Sequence, residues 1–301
     1  MPDTVTLTMI NRADDDILIR AMPLVFVLIW STGFIVARYG MPLAPPMTFL
    51  ALRYIFSILC FLPWILLARV AWPRTRDQWL HLSVTGVLMH GGYLGGVWIA
   101  VKAGMGSGLV ALVVVLQPVL TAFWLSSTGG HVTRRQWAGL MLGFTGLVLV
   151  VSRKFGAGGE ATVYTLSFAI FALLSITTGT LYQKKFVQSL DVRSANTVQL
   201  IAALVVTLPF ALFETEAIQW TSEFIAAMAW SVLALTIGGS SLLYILIQRG
   251  AATAVTSLLY LVPPTTALMA WVLFSEPITA VTLLGTALTA FGVSLVVRAA
   301  R

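Results

Sequence analysis

Few side chains in this sequence can do chemistry away from its polar links. His90, Tyr93, Gln117 and Arg53 stand inside long apolar stretches, with Trp30, Tyr182, Tyr244 and Tyr260 at comparable depth. A histidine in such a place can titrate near neutral pH and carry a proton, or stay neutral and be satisfied by one interhelical hydrogen bond. At helical spacing His90, Tyr93 and Val97 share a face, a polar and aromatic stripe able to border a cavity. Gln117 has amide groups that demand partners in lipid, from a solute or from a neighbouring helix. Arg53, about two turns into its stretch and within snorkelling reach of the interface, reads first as a structural arginine bonded to helix ends and second as a partner for a substrate carboxylate. The aromatic residues combine flat apolar faces with polar tips, which suits a partly apolar solute and equally suits helix packing. Trp30, His90, Tyr93, Gln117, Tyr182, Tyr244 and Tyr260 form the candidate substrate-binding set.

Other chemistries are poorly served. All eleven carboxylates fall in tails, links or the ends of apolar stretches. That argues against ion coupling through a buried acid and removes the paired carboxylates of an intramembrane hydrolase. The single cysteine, Cys60, allows neither an internal disulfide nor a thiolate cluster and reads as a packing residue. Gly104-Met105-Gly106-Ser107-Gly108 is glycine-rich, yet no Walker lysine follows, so nucleotide binding is rejected. No catalytic residue, metal or cofactor is expected.

The elements that must position these residues are helices in a membrane. Of 301 residues, 58% are hydrophobic and 10% charged, against roughly a quarter charged in soluble domains. Helices satisfy so much backbone in lipid, whereas barrel strands would alternate apolar with polar. Windows of about twenty residues place spans near 21–39, 47–68, 79–101, 106–127, 135–152, 163–183, 194–213, 224–247, 252–273 and 279–298. With ten spans, thirteen of the eighteen Lys and Arg residues lie on the face of the N-terminus. Arg38, Lys102, Arg153 and Lys154 lie opposite, and Arg53 inside. Both termini are therefore expected in the cytoplasm, and the net charge of +7 reflects topology rather than nucleic-acid binding. Residues 1–20 read as a cytoplasmic tail without the marks of a signal peptide.

The sequence repeats against itself at an offset of 146 residues: Gly33 meets Gly179, Leu62-Pro63 meets Leu208-Pro209, Pro118 meets Pro264, Thr133 meets Thr279, Gly146 meets Gly292. Residues 21–153 and 163–299 are thus two copies. Each has an odd number of spans, so the second must be inverted in the membrane, the organisation of secondary transporters with a midplane site. Pro118, Pro263 and Pro264 interrupt spans four and nine and are expected to mark hinges.

Trp30-Ser31-Thr32-Gly33-Phe34, Leu116-Gln117-Pro118-Val119 and Phe274-Ser275-Glu276-Pro277-Ile278-Thr279 resemble the drug/metabolite transporter superfamily, specifically the EamA family, over nearly the whole chain. Where such proteins often close span four with a glycine-acid pair, this chain has Gly129-Gly130-His131. Within the family it resembles the YddG-type exporters of aromatic amino acids. The resemblance implies an all-α basket in which spans 1, 3, 4, 6, 8 and 9 surround a central cavity, and an exporter of amino acids and similar amphipathic metabolites. A bacterial-type inner membrane, a small-molecule substrate and a monomer follow as expectations. The competing readings are a broad-specificity drug exporter, a lipid-processing membrane enzyme with His90 as base, and a channel.

Overall fold

The computed structural model describes residue 22 and residues 25–127, 133–155, 160–187, 190–242, 261–276 and 278–299. Ten apolar helices occur among them: α1 (Val25–Gly40), α2 (Pro46–Leu67), α3 (Arg76–Lys102), α4 (Ser107–Trp124), α5 (Arg134–Lys154), α6 (Val163–Phe186), α7 (Val192–Phe213), α8 (Ser222–Ser240), α9 (Val262–Phe274) and α10 (Ala280–Ala299). The seven helices α2 to α8 are long and apolar enough to cross a membrane. Exposed side chains such as Leu66, Leu67, Leu212 and Phe213 form the outer surface, as lipid as solvent permits. Cys60, expected to pack inside, is exposed on α2.

Local sequence sets the helix starts. Thr75 and Thr133 form reciprocal capping boxes with Gln78 and Gln136, satisfying two otherwise orphaned donors each. Their counterparts 146 residues on, Thr221 and Thr279, accept from the backbone N–H of Phe224 and Thr282. Pro118 behaves as its chemistry requires, because it lacks a donor and crowds the carbonyl four residues back. The regular ladder of α4 gives way at Val115 and Leu116 and resumes at Gln117. Pro263 and Pro264 stand in the first turn of α9 rather than in the middle of a described helix, a position where missing donors are harmless.

Two stretches of π-helix, Val87–Gly92 in α3 and Ser231–Ser240 in α8, occupy positions related by the repeat offset. The first also marks a change of environment. Before it, burial in α3 is confined to Leu82, Thr85 and Gly86, and within it to Met89 and His90; after it, every residue from Tyr93 to Trp98 is buried.

Small residues bring α5 and α10 almost into backbone contact. A Cβ on Gly146 would lie 2.4 Å from the Gly285 carbonyl oxygen, and one on Gly292 would lie 2.4 Å from the Gly143 nitrogen. Between them Thr289 donates to the Gly143 carbonyl at 3.3 Å. Positions rising along α5 therefore meet positions falling along α10, so the helices are antiparallel. In α2 and α7, Thr48 near one end meets Glu214, while Trp64 near the other lies under Arg193, again antiparallel.

Candidate functional site

A central cavity with an empty volume of about 720 Å³, its mouth included, is lined by residues of α1, α2, α3, α6, α7 and α8. Its walls carry Trp30, Gly33, Phe34, Met89, Leu94, Val97, Ile176 and Leu235 as apolar surface, and Arg53, His90, Asn196, Gln199 and Ser240 as polar groups. The expected ring of spans is thus altered. Helices α2 and α7 supply the strongest polar groups, whereas α4 and α9 contribute none of the described lining.

Three expected site residues reach this cavity. Trp30 and Tyr93 stack with planes 3° apart and centroids 6.3 Å apart. His90 is buried in the π stretch of α3, with its backbone carbonyl accepting from Tyr54 Oη at 2.7 Å and its ring edge-on to Tyr54. Gln117 and Tyr182 go elsewhere. The Gln117 amide donates to Thr180 Oγ1 at 3.0 Å, joining α4 to α6, so its demand for a partner is met by a neighbouring helix. Tyr182 pairs through its hydroxyl with His81 Nδ1 at 2.8 Å and packs on Phe186, near the start of α3. Tyr244 and Tyr260 lie outside the described residues.

Arg53 is the residue most misplaced by the sequence reading. It does not snorkel to the interface; it is 4% exposed, with Nε donating to Thr236 Oγ1 at 3.0 Å and its guanidinium carbon 5.6 Å from the centroid of Trp98. Thr236 belongs to the π stretch of α8, and its hydroxyl in turn donates to the Ser231 carbonyl at 3.0 Å. That wide turn reaches inward and holds the arginine head at the cavity. Arg53 Nη1, Trp98 Nε1, Asn196 Nδ2 and Gln199 Nε2 have no protein acceptor. A buried donor without an acceptor costs about 1–3 kcal/mol, so the cavity favours occupants that accept hydrogen bonds.

Repeat symmetry could have revealed these groups. Arg53 and Gln199 are 146 residues apart, as are His90 and Thr236. Arg53, His90 and Gln199 line the cavity, and Thr236 accepts from Arg53. Asn196 stands one turn from Gln199 on α7 and faces the same space.

One face of the helix assembly is tied by polar contacts, and the cavity lies away from it. Lys102 Nζ donates to the carbonyls of Met41 and Ala44 and pairs with Glu216 at 2.7 Å. Glu214 accepts from the backbone N–H groups of Met47 and Thr48 at the start of α2 and from the Thr48 hydroxyl. Glu276 accepts from Ser107 at the start of α4, with Arg38 4.0 Å away. Glu214 and Glu276 meet helix N-termini, where the unpaired N–H groups favour negative charge. At the opposite face the only described ion pair is Asp191 with Arg193.

The described residues thus form a multi-pass helical membrane protein with a cavity lined from six of its helices. Its sequence matches the EamA-like transporter family over residues 19–152 and again over residues 163–298, and the chain belongs to that family. It is 27% identical over 277 residues to the "Uncharacterized transporter YvbV" of Bacillus subtilis, covering 90% of this chain and 88% of that protein. It is 26% identical to a "Probable amino-acid metabolite efflux pump" of Salmonella typhimurium over 90% of this chain and 92% of the relative. The "Uncharacterized inner membrane transporter YedA" of Escherichia coli K12 is 23% identical, with 89% and 87% covered. A solved structure at 19% identity superposes with a TM-score of 0.67 over 91% of this chain and 95% of that one, a likeness of fold.

Proposed function

We propose that this protein is an inner-membrane secondary transporter that exports amphipathic small metabolites, aromatic amino acids foremost, by alternating access. Ten spans form two inverted five-helix copies, residues 21–153 and 163–299, with both termini in the cytoplasm. The antiparallel pairing of α5 with α10 and of α2 with α7 supports the inversion, because helices related by an axis in the membrane plane must run in opposite directions. The observation that carries the reading is the cavity lined by Arg53, its repeat counterpart Gln199, and His90, with Thr236, the counterpart of His90, holding Arg53 from behind. The ties made by Lys102, Glu214 and Glu276 favour a state closed at the non-cytoplasmic face. The stacked Trp30 and Tyr93 suit a flat apolar group.

Purified protein in liposomes is expected to accelerate counterflow of labelled phenylalanine or tryptophan, saturably and in both directions. Saturable flux of unrelated drugs without flux of those amino acids would favour the broad exporter instead, a reading supported by the apolar share of the cavity wall.

A further inference from the structure

Resting on the transporter reading, the polar chemistry of the cavity names the group that is recognised. Arg53, Trp98, Asn196 and Gln199 are each at least 95% buried, all line the cavity, and each carries a nitrogen donor with no protein acceptor. Arg53 has no carboxylate partner: the described ion pairs are Arg38 with Glu276, Lys102 with Glu216, Lys154 with Glu160 and Arg193 with Asp191. Among the described residues, none that lines the cavity is acidic. A fixed cation is therefore surrounded by further donors. A planar guanidinium matches a carboxylate in a forked geometry, and a cation held inside a membrane without a protein carboxylate beside it suits a site for an opposite charge.

We propose that the cavity recognises the carboxylate of an amphipathic organic acid. Arg53 supplies the counter-charge, Asn196, Gln199 and Trp98 donate to the remaining lone pairs, and Trp30 and Tyr93 receive the apolar body. An α-ammonium group finds only neutral acceptors, because none of the described lining residues is a carboxylate. It must shed water without a charged partner. Deaminated aromatic acids consequently bind in preference to the corresponding amino acids, and aromatic amines bind least.

The test uses the full chain in detergent or nanodiscs, with equilibrium binding of labelled phenylacetate and competition by phenylalanine, phenethylamine and 2-phenylethanol. Phenylacetate is expected to bind saturably, with phenylalanine competing about tenfold less well and phenethylamine at least a hundredfold less well. Absence of phenylacetate binding, or competition by phenethylamine equal to that by unlabelled phenylacetate, overturns the proposal. Arg53→Gln is expected to abolish phenylacetate binding while 2-phenylethanol still binds. Should that variant not fold, Gln199→Leu and Asn196→Leu are expected each to weaken phenylacetate severalfold more than 2-phenylethanol; equal effects count against the proposal. Counterflow separates the two readings. Saturable phenylalanine flux that phenylacetate does not inhibit removes the acid site and leaves the carrier, whereas phenylacetate binding without flux of any solute supports the site and removes the carrier.

Discussion

Arg53 Nε donates to Thr236 Oγ1 across 3.0 Å, tying α2 of the first half to the π stretch of α8 in the second. Their repeat counterparts, Gln199 and His90, line the same cavity from α7 and α3. One half thus carries a charge where the other carries an amide, and an imidazole where the other carries a hydroxyl. The pocket is symmetric in layout and asymmetric in chemistry, which allows a solute with one polar end to bind in a single orientation.

Thr236→Val removes the acceptor for Arg53 Nε with little change of volume. The expected result is a folded protein with solute affinity reduced by about tenfold, on the order of 1.4 kcal/mol for one hydrogen bond to a charged group. Binding isotherms alongside thermal unfolding check this; unchanged affinity would mean that Thr236 does not orient Arg53.

Gly86 lies against α7, and a Cβ there would fall 2.2 Å from the Gln199 carbonyl oxygen. Gly86→Val must force α3 and α7 apart. A loss of about 1–3 kcal/mol of stability is expected from overpacking, together with loss of transport because Gln199 moves. Thermal unfolding and counterflow of the same preparation measure both. At the α5–α10 contact, Gly146→Val should destabilise by a similar amount, since its neighbours are backbone atoms of Gly285 and Thr289.

The stacking of Trp30 on Tyr93 is testable through solute choice. Tyr93→Ala should weaken aromatic solutes about two- to tenfold, the equivalent of 0.5–1.5 kcal/mol for a lost aromatic contact, and affect aliphatic ones less. Competition between leucine and phenylalanine in counterflow reads this difference.

His90 is the one described imidazole that lines the cavity. If an imposed pH gradient drives flux, His90→Gln is expected to abolish the gradient dependence while exchange persists. Gradient-driven flux surviving in the variant would assign coupling to another group.

Asp191 lies outside the membrane-spanning helices, and donation from the Arg193 side chain holds its carboxyl below the ordinary carboxylate range. Because the folded value is depressed, its contribution to stability is present above the unfolded pKa, roughly 3.9, and disappears as pH falls through the lower folded value. Asp191→Ala should cost about 1 kcal/mol at neutral pH through loss of the α7 N-cap, and little once the carboxyl is protonated in both states. Unfolding midpoints across an acid series give the comparison.

The helices were largely legible because apolar length is a local signal, and Pro118 announces where α4 breaks; the caps at Thr75 and Thr133 were equally local but went unread. His90 and Tyr93 were legible as a stripe of helical spacing. Arg53 was not, because its direction depends on Thr236 on a helix far away in sequence, and interface depth alone suggested an outward reach. Gln117 and Tyr182 went wrong for the complementary reason: depth in the membrane says nothing about whether Thr180 or His81 already offers a partner. Asn196 and Trp98 carried no signal until burial exposed their unpaired donors.

Beyond Gly92, every residue of α3 from Tyr93 to Trp98 is buried, with α2, α4 and α6 among its neighbours and the cavity against the rest. A rod encased in this way cannot swing by pushing lipid aside. If the proposed alternating access operates, moving α3 carries that casing along with it, a concerted displacement of several helices about a common spindle rather than the flexing of one.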